Sequence, residues 1–430
     1  MRSFKTKINP NNKQRTSFLK HAGTARHAWN WGLNVCINSI HETGATPSAI
    51  DLHKLLVKEV KPDKPWYYES SKCSPQEALR NLIEAFSRFW KQHKINKTKP
   101  FHKKYLAKYI RQFQHGKIKT LSIEHEYGFP KKKKKGIHDG FYLEGNFEID
   151  WVNANRIKVP KIGLIKTYEK LPQGIEIKNS TITRTADDWF VAFKIGKAEI
   201  TKHKNNKSVG VDLGVKTLAT MSNFQTIQSP KPYKTQKNKL QRIQRKMSRQ
   251  KKDQYKLDKK ECSKNYIKTR KKFAKLHQKI SNIRKDTTHK LTSYLVKNHN
   301  RIVIEDLNVS GMVKNHNLAS AILDGGFYEF KRQLQYKCKW NSVELVIADR
   351  WFASSQLCSD CGHRQKMPLK QRIFKCEDCN LELDRDLNAA INLRNYVPQA
   401  NGEKVCGDAK FHANWQVGIS ETEIRQQATE

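Results

Sequence analysis

Four cysteines near the C-terminal end of the chain have the spacing of a metal site. Cys358 and Cys361 form one Cys-x2-Cys pair, and Cys376 and Cys379 form a second pair after 14 intervening residues. Four thiolates can surround one Zn²⁺ tetrahedrally, and four protein ligands leave no open position for a substrate. The pattern therefore predicts a structural zinc ribbon, with a pair of disulfides or a chance spacing as the alternatives.

Three acidic residues could support a second kind of metal chemistry. Asp212 interrupts the apolar run 209–215, Glu305 ends the apolar run 302–305, and Asp386 opens a short alanine-rich helix. A carboxylate in an apolar strand is costly to bury without a partner or a metal ion. Carboxylate oxygens suit Mg²⁺ or Mn²⁺, and two such ions can hydrolyse a phosphodiester. We interpret Asp212 as the ligand shared by both ions, with Glu305 and Asp386 completing the two ion sites.

The order of these acids, on a strand, a second strand and a late helix, resembles that of RNase H-like nucleases. Taken one at a time, each acid is also typical of a capped or ion-paired structural residue. Asp306 and Asp384 lie next to the predicted ligands in the sequence and could support them from outside the metal shell.

The net charge of +43 indicates a polyanionic partner, with nucleic acid as the usual one and a membrane surface as the alternative. Residues 231–300 hold 24 lysines and arginines against four acidic residues. Apolar residues recur there at helical spacing, which predicts a helical hairpin with one basic face for a nucleic-acid duplex. None of the 16 histidines forms a His-x-His pair, which excludes the transposases that transfer strands with that motif.

The cysteine content favours a reducing compartment. Five cysteines outside the two pairs are scattered and odd in number, as expected of free thiols in a cytosol. The chain has no apolar run of membrane-spanning length and no signal peptide at its beginning. We therefore expect a cytoplasmic protein without membrane association, and we expect a monomer.

The elements that must position these residues change along the chain. The spacing of apolar residues predicts a strand over residues 4–8 and an amphipathic helix over residues 11–41. A second helix should open at Ser74 with a capping box to Glu77, and the helical region should end at Pro100. Short alternating runs then predict a small β-barrel, in which 131–135 would be a flexible basic loop.

Together these motifs resemble the TnpB family, transposon-encoded RNA-guided nucleases related to small type V CRISPR effectors. The resemblance rests on DLGVK at 212–216, IEDL at 304–307, the four cysteines, DRDLNAA at 384–390, RHAWN at 26–30, QEALRNL at 76–82 and PFHKK at 100–104. It extends over nearly the whole chain, to about residue 406. Residues 352–356, FASSQ, depart from the family, which often has Pro and Lys there.

The resemblance implies an α+β multidomain protein with a helical recognition lobe, a β-barrel wedge domain and a RuvC-like (RNase H-like) α/β nuclease domain containing an inserted zinc ribbon. The implied boundaries are 1–10 and 116–203 for the wedge domain, 11–115 for the recognition domain, 204–350 and 383–406 for the nuclease domain with its basic hairpin at 231–300, 351–382 for the ribbon, and 407–430 for a disordered tail.

The implied function is RNA-guided cleavage of double-stranded DNA. A guide RNA from the transposon end would bind the basic surfaces, and its pairing with the target strand would give specificity. The protein would read a short target-adjacent motif, and a single RuvC site would cut both strands in turn with Mg²⁺ or Mn²⁺, while Zn²⁺ held the ribbon. A minimal type V CRISPR effector and a DNA-binding regulator without cleavage are the alternatives.

Overall fold

The computed structural model describes residues 2–97, 100–115, 123–149, 155–171, 177–195, 207–256, 263–368 and 370–398. The chain divides into two compact units, Met1–Glu199 with Ile267–Gln278, and Ile200–Tyr266 with Lys279–Glu430. The predicted tail at 407–430 and residues 399–406 of the predicted nuclease domain lie outside the described residues. No described helix is long and apolar enough to cross a membrane.

The first unit opens with a strand and continues with helices. These elements are β1 (Arg2–Asn9), α1 (Asn12–Thr43), α2 (Ala49–Leu55), α3 (Cys73–Lys97) and α4 (Pro100–Gln114). A π-helical turn, Leu56–Val60, and a 3-10 turn, Pro65–Tyr67, connect α2 to α3.

Two predicted helix boundaries are wrong. The capping box expected at Ser74 is not formed, because Ser74 lies inside α3 and its hydroxyl donates to the Tyr142 carbonyl at 3.0 Å. Pro100 begins α4 instead of ending the helical region. Proline is well suited to a first helical position, because the N–H that it lacks has no partner in that turn.

Five further strands close a barrel with β1. They are β2 (Gly140–Ile149), β3 (Arg156–Val159), β4 (Gly163–Thr167), β5 (Ile177–Thr185) and β6 (Asp188–Ile195). The strand order is β1-β4-β3-β2-β5-β6, and β1 pairs antiparallel with both β4 and β6. Closure leaves no unpaired sheet edge. The N-terminal strand therefore belongs to the barrel, as the sequence predicted.

Helix α1 packs directly on the barrel within this unit. The Phe18 ring lies 5.6 Å from that of Phe141 and 4.9 Å from that of Trp189, centroid to centroid. Helices and strands thus share one hydrophobic core.

The basic run 131–135 is attached to α1 rather than free. The Trp29 indole N–H donates to the Lys131 carbonyl at 3.0 Å, and the Asn30 amide exchanges two hydrogen bonds with the backbone of Lys133. The Lys133 ammonium lies 3.7 Å from the centre of the Trp29 ring. These contacts contradict the predicted flexible loop, since a tryptophan and an asparagine of one helix fix its backbone.

The second unit contains a mixed five-stranded sheet. Its strands are β7 (Ser208–Asp212), β8 (Thr217–Met221), β9 (Thr226–Gln228), β10 (Arg301–Glu305) and β11 (Glu344–Ala348), in the order β11-β10-β7-β8-β9. β7, β10 and β11 are parallel, whereas β8 is antiparallel to both β7 and β9.

Five described helices connect strands of this sheet along the chain, and a small ribbon precedes a sixth. The helices before the ribbon are α5 (Pro232–Lys256), α6 (Lys264–Asn298), α7 (Val309–Met312), α8 (His316–Gly325) and α9 (Phe327–Asn341). The ribbon strands β12 (Ile373–Lys375) and β13 (Glu382–Asp384) form a two-stranded sheet that leads into α10 (Arg385–Asn395). Helices α5 and α6 are therefore present in the basic segment 231–300, where the apolar spacing predicted them.

Candidate active site and metal centre

Two of the three predicted carboxylates lie at the same edge of the five-stranded sheet. Strands β7 and β10 are parallel, with Val211 opposite Ile304, so Asp212 and Glu305 follow side by side where the strands end. Both side chains are partly buried. The carboxyl ends of parallel strands are a usual place for functional residues in α/β sheets.

Asp386 reaches this edge from helix α10. Asp384 caps the helix, since its carboxylate accepts hydrogen bonds from the backbone N–H groups of Asp386 at 2.9 Å and Leu387 at 3.1 Å. A capping aspartate satisfies donors that the first turn cannot pair. The cap therefore fixes the turn that carries Asp386.

Gly210 allows α10 to lie close against β7. A Cβ at this position would come 2.0 Å from the Ala390 carbonyl oxygen and 2.4 Å from the Arg394 backbone nitrogen. No side chain fits in that space, so the strand must carry glycine two residues before Asp212. The close approach brings the third carboxylate to the other two.

The electrostatics of Asp212 show that the three acids are neighbours. Burial raises the pKa of Asp212 to about 8, and the negative charges of Glu305 and Asp386 add to this effect, while Arg385 opposes it. Arg372 lies 4.0 Å from the Asp386 carboxylate. Such a concentration of like charge favours either a bound proton or a cation.

Three residues that the sequence did not single out hold this arrangement together. The buried Ser354 hydroxyl donates to the Glu305 carboxylate, and the Asn392 amide donates to the Ser354 carbonyl at 2.8 Å. Asn388 donates to the Leu357 carbonyl at 2.7 Å. Asn388 and Asn392 are four residues apart on an alanine-rich helix, which places them on one face and was the available signal.

The two acids proposed as supports behave differently, because Asp384 supports the turn of Asp386 and Asp306 has other partners. Asp384 is the cap of α10. Asp306 accepts hydrogen bonds from Lys331 and Arg350, both at 2.6 Å, and these partners lower the pKa of its carboxyl group. Asp306 is therefore a structural ion-pair residue in this structure.

The four cysteines form a compact group. Their Sγ atoms all lie within 4.8 Å of one another, and in the described part of the chain no other group of three or more His, Cys, Asp or Glu residues has the arrangement of a metal site. The shortest Sγ–Sγ distances, Cys358 to Cys379 and Cys361 to Cys376, are 3.6 Å, well beyond the length of a disulfide bond. Thiolates so arranged fit one tetrahedral Zn²⁺.

The turns after each cysteine pair are tight. Gly362 has a φ of 77° and Asn380 a φ of 59°, in the left-handed region that glycine and asparagine tolerate best. The ribbon connects to the carboxylates through the short strand β13, which ends at the cap of α10.

Three family models match successive parts of the chain. They are described as a helix-turn-helix domain over residues 1–45, "Probable transposase" over 190–316, and a Cas12f1-like TNB domain over 327–393. The second and third matches contain all three carboxylates and all four cysteines.

Two similar curated proteins are both named "Putative RNA-guided DNA endonuclease". The protein from Streptomyces pristinaespiralis is 31% identical over 418 residues, 95% of this chain and 91% of the relative. InsQ from Escherichia coli strain K12 is 28% identical over 427 residues, 95% of this chain and 94% of the relative. A solved Cas12f1–sgRNA–target DNA complex matches 92% of this chain and 98% of its own chain at 16% identity, with a TM-score of 0.28 that is too low to relate the two folds.

Proposed function

Because the chain belongs to the TnpB family, we propose that it is an RNA-guided DNA endonuclease that cleaves double-stranded DNA beside a short target-adjacent motif. The observation that carries the proposal is the meeting of Asp212, Glu305 and Asp386 at one sheet edge. The sheet order supports its interpretation as a RuvC-like core, since β7 separates antiparallel strands on one side from parallel strands on the other.

The carboxylates supply the type of ligand that Mg²⁺ or Mn²⁺ prefers, although their oxygens do not all lie within 4.8 Å of one another as the four thiolates do. Three acids crowd together around a buried aspartate, and hard oxygen ligands are those that these ions prefer. The charges of both other acids act on Asp212, which is the ligand that we expect two ions to share. When bound, such ions activate a water molecule and neutralise the leaving oxygen of a phosphodiester.

The residues around the acids prepare them for cations. Burial and the charges of Glu305 and Asp386 raise the pKa of Asp212 to about 8, so a bound cation would lower that pKa and favour the ionised carboxylate. Ser354 fixes the orientation of Glu305, and the Asp384 cap fixes the turn of Asp386. The four cysteines would hold a Zn²⁺ that stabilises the ribbon without taking part in cleavage.

The basic segment would bind the nucleic acids. Arg242, Arg245 and Arg249 are exposed on α5, inside the region of 24 basic and four acidic residues. Phosphate contacts of this kind give affinity without sequence preference. Pairing between a guide RNA and the target strand would supply the specificity.

The first experiment identifies the guide. The chain would be purified from cells that also express the 3′ flank of its gene, and the RNA that copurifies would be sequenced. We expect one discrete RNA that ends in variable flanking sequence and that directs Mg²⁺-dependent cleavage of a matched DNA. No RNA, or a random mixture, would refute the guided mechanism.

The second experiment tests the carboxylates. We expect Asp212→Ala, Glu305→Ala and Asp386→Ala each to abolish cleavage while the guide RNA still copurifies. Glu344→Ala is the matched control, because Glu344 lies on β11 of the same sheet with 61% of its side chain exposed. Cleavage retained by any of the three variants would show that the site is misassigned.

A further inference from the structure

Trp351 exposes almost its entire side chain on the loop that follows β11. It is 85% exposed, the highest value among the large hydrophobic side chains of the described residues. Single exposed apolar residues are common on protein surfaces, so exposure alone assigns no role. The loop that carries Trp351, residues 349–354, is attached to the residues around Glu305.

The loop is joined to the surroundings of Glu305 at both ends. Strand β11 ends at Ala348, which lies opposite Glu305 in the register of the sheet. Arg350 donates to the Asp306 carboxylate at 2.6 Å, and the Ser354 hydroxyl donates to the Glu305 carboxylate. The segment that carries Trp351 therefore starts and finishes at the carboxylate edge.

The backbone next to the indole is also held. The backbone N–H of Trp351 donates to the Asp349 carboxylate at 2.8 Å, and the backbone N–H of Phe352 donates to the Asp349 carbonyl at 3.0 Å. The Phe352 ring packs edge-on against Tyr396, with centroids 4.8 Å apart. An aromatic ring presented on a fixed loop loses little conformational freedom when a flat ligand stacks on it.

We propose that Trp351 binds the DNA strand being cut by stacking on one of its unpaired nucleobases, a role that rests on the proposed nuclease function. Stacking tolerates every sequence, because each base presents a π face. A guided nuclease needs this tolerance, since pairing with the guide, and not the protein, selects the sequence. An indole on this anchored loop would keep the adjoining phosphates near Asp212, Glu305 and Asp386.

The binding test uses the full chain with its guide RNA and the Asp212→Ala substitution, which we expect to prevent cleavage. A short single-stranded DNA is titrated while tryptophan fluorescence is recorded. The chain has nine tryptophans, so the Trp351 signal is the difference between this protein and the same protein carrying Trp351→Phe. We expect the DNA to quench this signal. We also expect Trp351→Ala to raise the dissociation constant for the DNA about 10-fold, whereas the dissociation constant of Trp351→Phe should stay within about 3-fold of that of the parent.

Three results of this titration would overturn the proposal. One is an unchanged affinity in Trp351→Ala, and another is an equal loss in the Phe and Ala variants, since the aromatic ring would then be irrelevant. The third is quenching by single-stranded RNA but not by DNA, which would assign the indole to the guide.

The cleavage test separates the stacking proposal from the nuclease proposal. This test uses the protein with its original Asp212 and a DNA that matches the guide RNA. Trp351→Ala should raise the DNA concentration for half-maximal cleavage about 10-fold without lowering the thermal midpoint. Tyr328→Ala is the matched control, because Tyr328 is an exposed aromatic residue on α9, 69% accessible. If Trp351→Ala needed the same DNA concentration for half-maximal cleavage as the parent, the stacking role would be overturned. Fluorescence quenching without any cleavage by the unaltered chain would instead refute the nuclease proposal and leave the stacking site supported.

Discussion

Two aspartates of the second unit have opposite pKa shifts, and their neighbours explain the difference. Burial and the charges of Glu305 and Asp386 raise the pKa of Asp212 to about 8. Hydrogen bonds from Lys331 and Arg350 lower the pKa of Asp306. The first carboxylate is thus poor in positive partners and suited to a cation, whereas the second is already neutralised by side chains.

This contrast predicts that Asp212→Asn stabilises the protein when divalent cations are not added. The folded pKa of Asp212 lies above the ordinary value of about 3.9, so the folded state binds the extra proton between these values. The contribution of Asp212 to stability is present at acidic pH and is lost as the pH rises towards 8. We expect the thermal midpoint of Asp212→Asn to exceed that of the parent at pH 8, and the difference to shrink on acidification.

Asp306→Asn is the control, and we expect it to change the thermal midpoint in the opposite direction. The folded pKa of Asp306 is lowered, so its stabilising effect is present at neutral pH and is lost as the pH falls through the folded pKa. We expect Asp306→Asn to lower the midpoint at pH 8. For the first variant, a thermal midpoint of Asp212→Asn below that of the parent at pH 8 would show that like charges do not destabilise this site.

The residues of the candidate site differ in how far the sequence could predict them. The cysteines and the three acids could be selected, because their spacing or their place in apolar strands is unusual for polar side chains. Ser354 could not be selected, since serine is common at turns, and only the four-residue spacing of Asn388 and Asn392 pointed to a shared helix face. Their role depends on contacts between segments that are more than 30 residues apart in the chain.

At the scale of elements, the packing of α10 on β7 predicts a large effect of Gly210→Ala. The added methyl group would meet the backbone of α10 at 2.0 Å, so the helix would have to move and would carry Asp386 away from Asp212. We expect a loss of roughly 3 kcal/mol of stability or more, together with loss of cleavage. Thermal unfolding and the guided cleavage assay would measure both.

Gly23→Ala is the matched control for this substitution. Gly23 lies in α1, and the nearest atom to its added Cβ is a terminal nitrogen of Arg26 at 3.8 Å, an ordinary contact. Alanine favours the helix over glycine by about 1 kcal/mol, so this variant should be slightly more stable. If Gly210→Ala were equally well tolerated, close packing of α10 would not be what positions Asp386.

The ribbon predicts a separate effect of metal loss. We expect Cys376→Ser to lose one equivalent of zinc and to lower the thermal midpoint, because three thiolates hold the ion less well than four and the ribbon has few buried residues of its own. Cleavage should fall as well, since β13 leads directly into α10.

Cys73→Ser is the control for the ribbon. Cys73 is a buried free thiol at the start of α3, so its loss should leave the zinc content unchanged. Elemental analysis of both variants would decide. Full zinc content in Cys376→Ser would refute the four-thiolate site.

Element boundaries were less predictable than the elements themselves. The sequence predicted α1, the barrel and the helices of the basic region, because their apolar periodicity extends over many residues. It missed the capping box that is formed, in which Asn11 and Gln14 exchange hydrogen bonds between side chain and backbone. It predicted one at Ser74, whose hydroxyl instead bonds to the barrel residue Tyr142. Tertiary contacts decide between such competing partners.

At the scale of the whole molecule, the charge of +43 predicts strongly salt-dependent binding of nucleic acid. Each phosphate contact releases a counterion, so the logarithm of the binding constant should fall linearly with the logarithm of the salt concentration. Arg242→Gln, Arg245→Gln and Arg249→Gln should each reduce the slope by about 1 if the residue contacts phosphate, with no change in target preference.

Lys290→Gln provides the comparison for these arginines. Lys290 lies 2.8 Å from Asp286 on the same helix, so its charge is already balanced locally. We expect a smaller change in slope than for any of the three arginines on α5. Equal slopes in all four variants would show that α5 is not a preferred binding surface.

The position of α10 in the chain has a consequence for synthesis in the cell. The helix that supplies the last carboxylate also covers Gly210 and packs Leu393 against Val303 and Val346 of the sheet. A ribosome makes this helix late, after all three of the strands that carry these residues. A polypeptide cut short by a premature stop or a protease would therefore lack both Asp386 and the cover of its own sheet. Such a copy would expose the apolar residues Val303 and Val346 that Leu393 packs against in the intact protein.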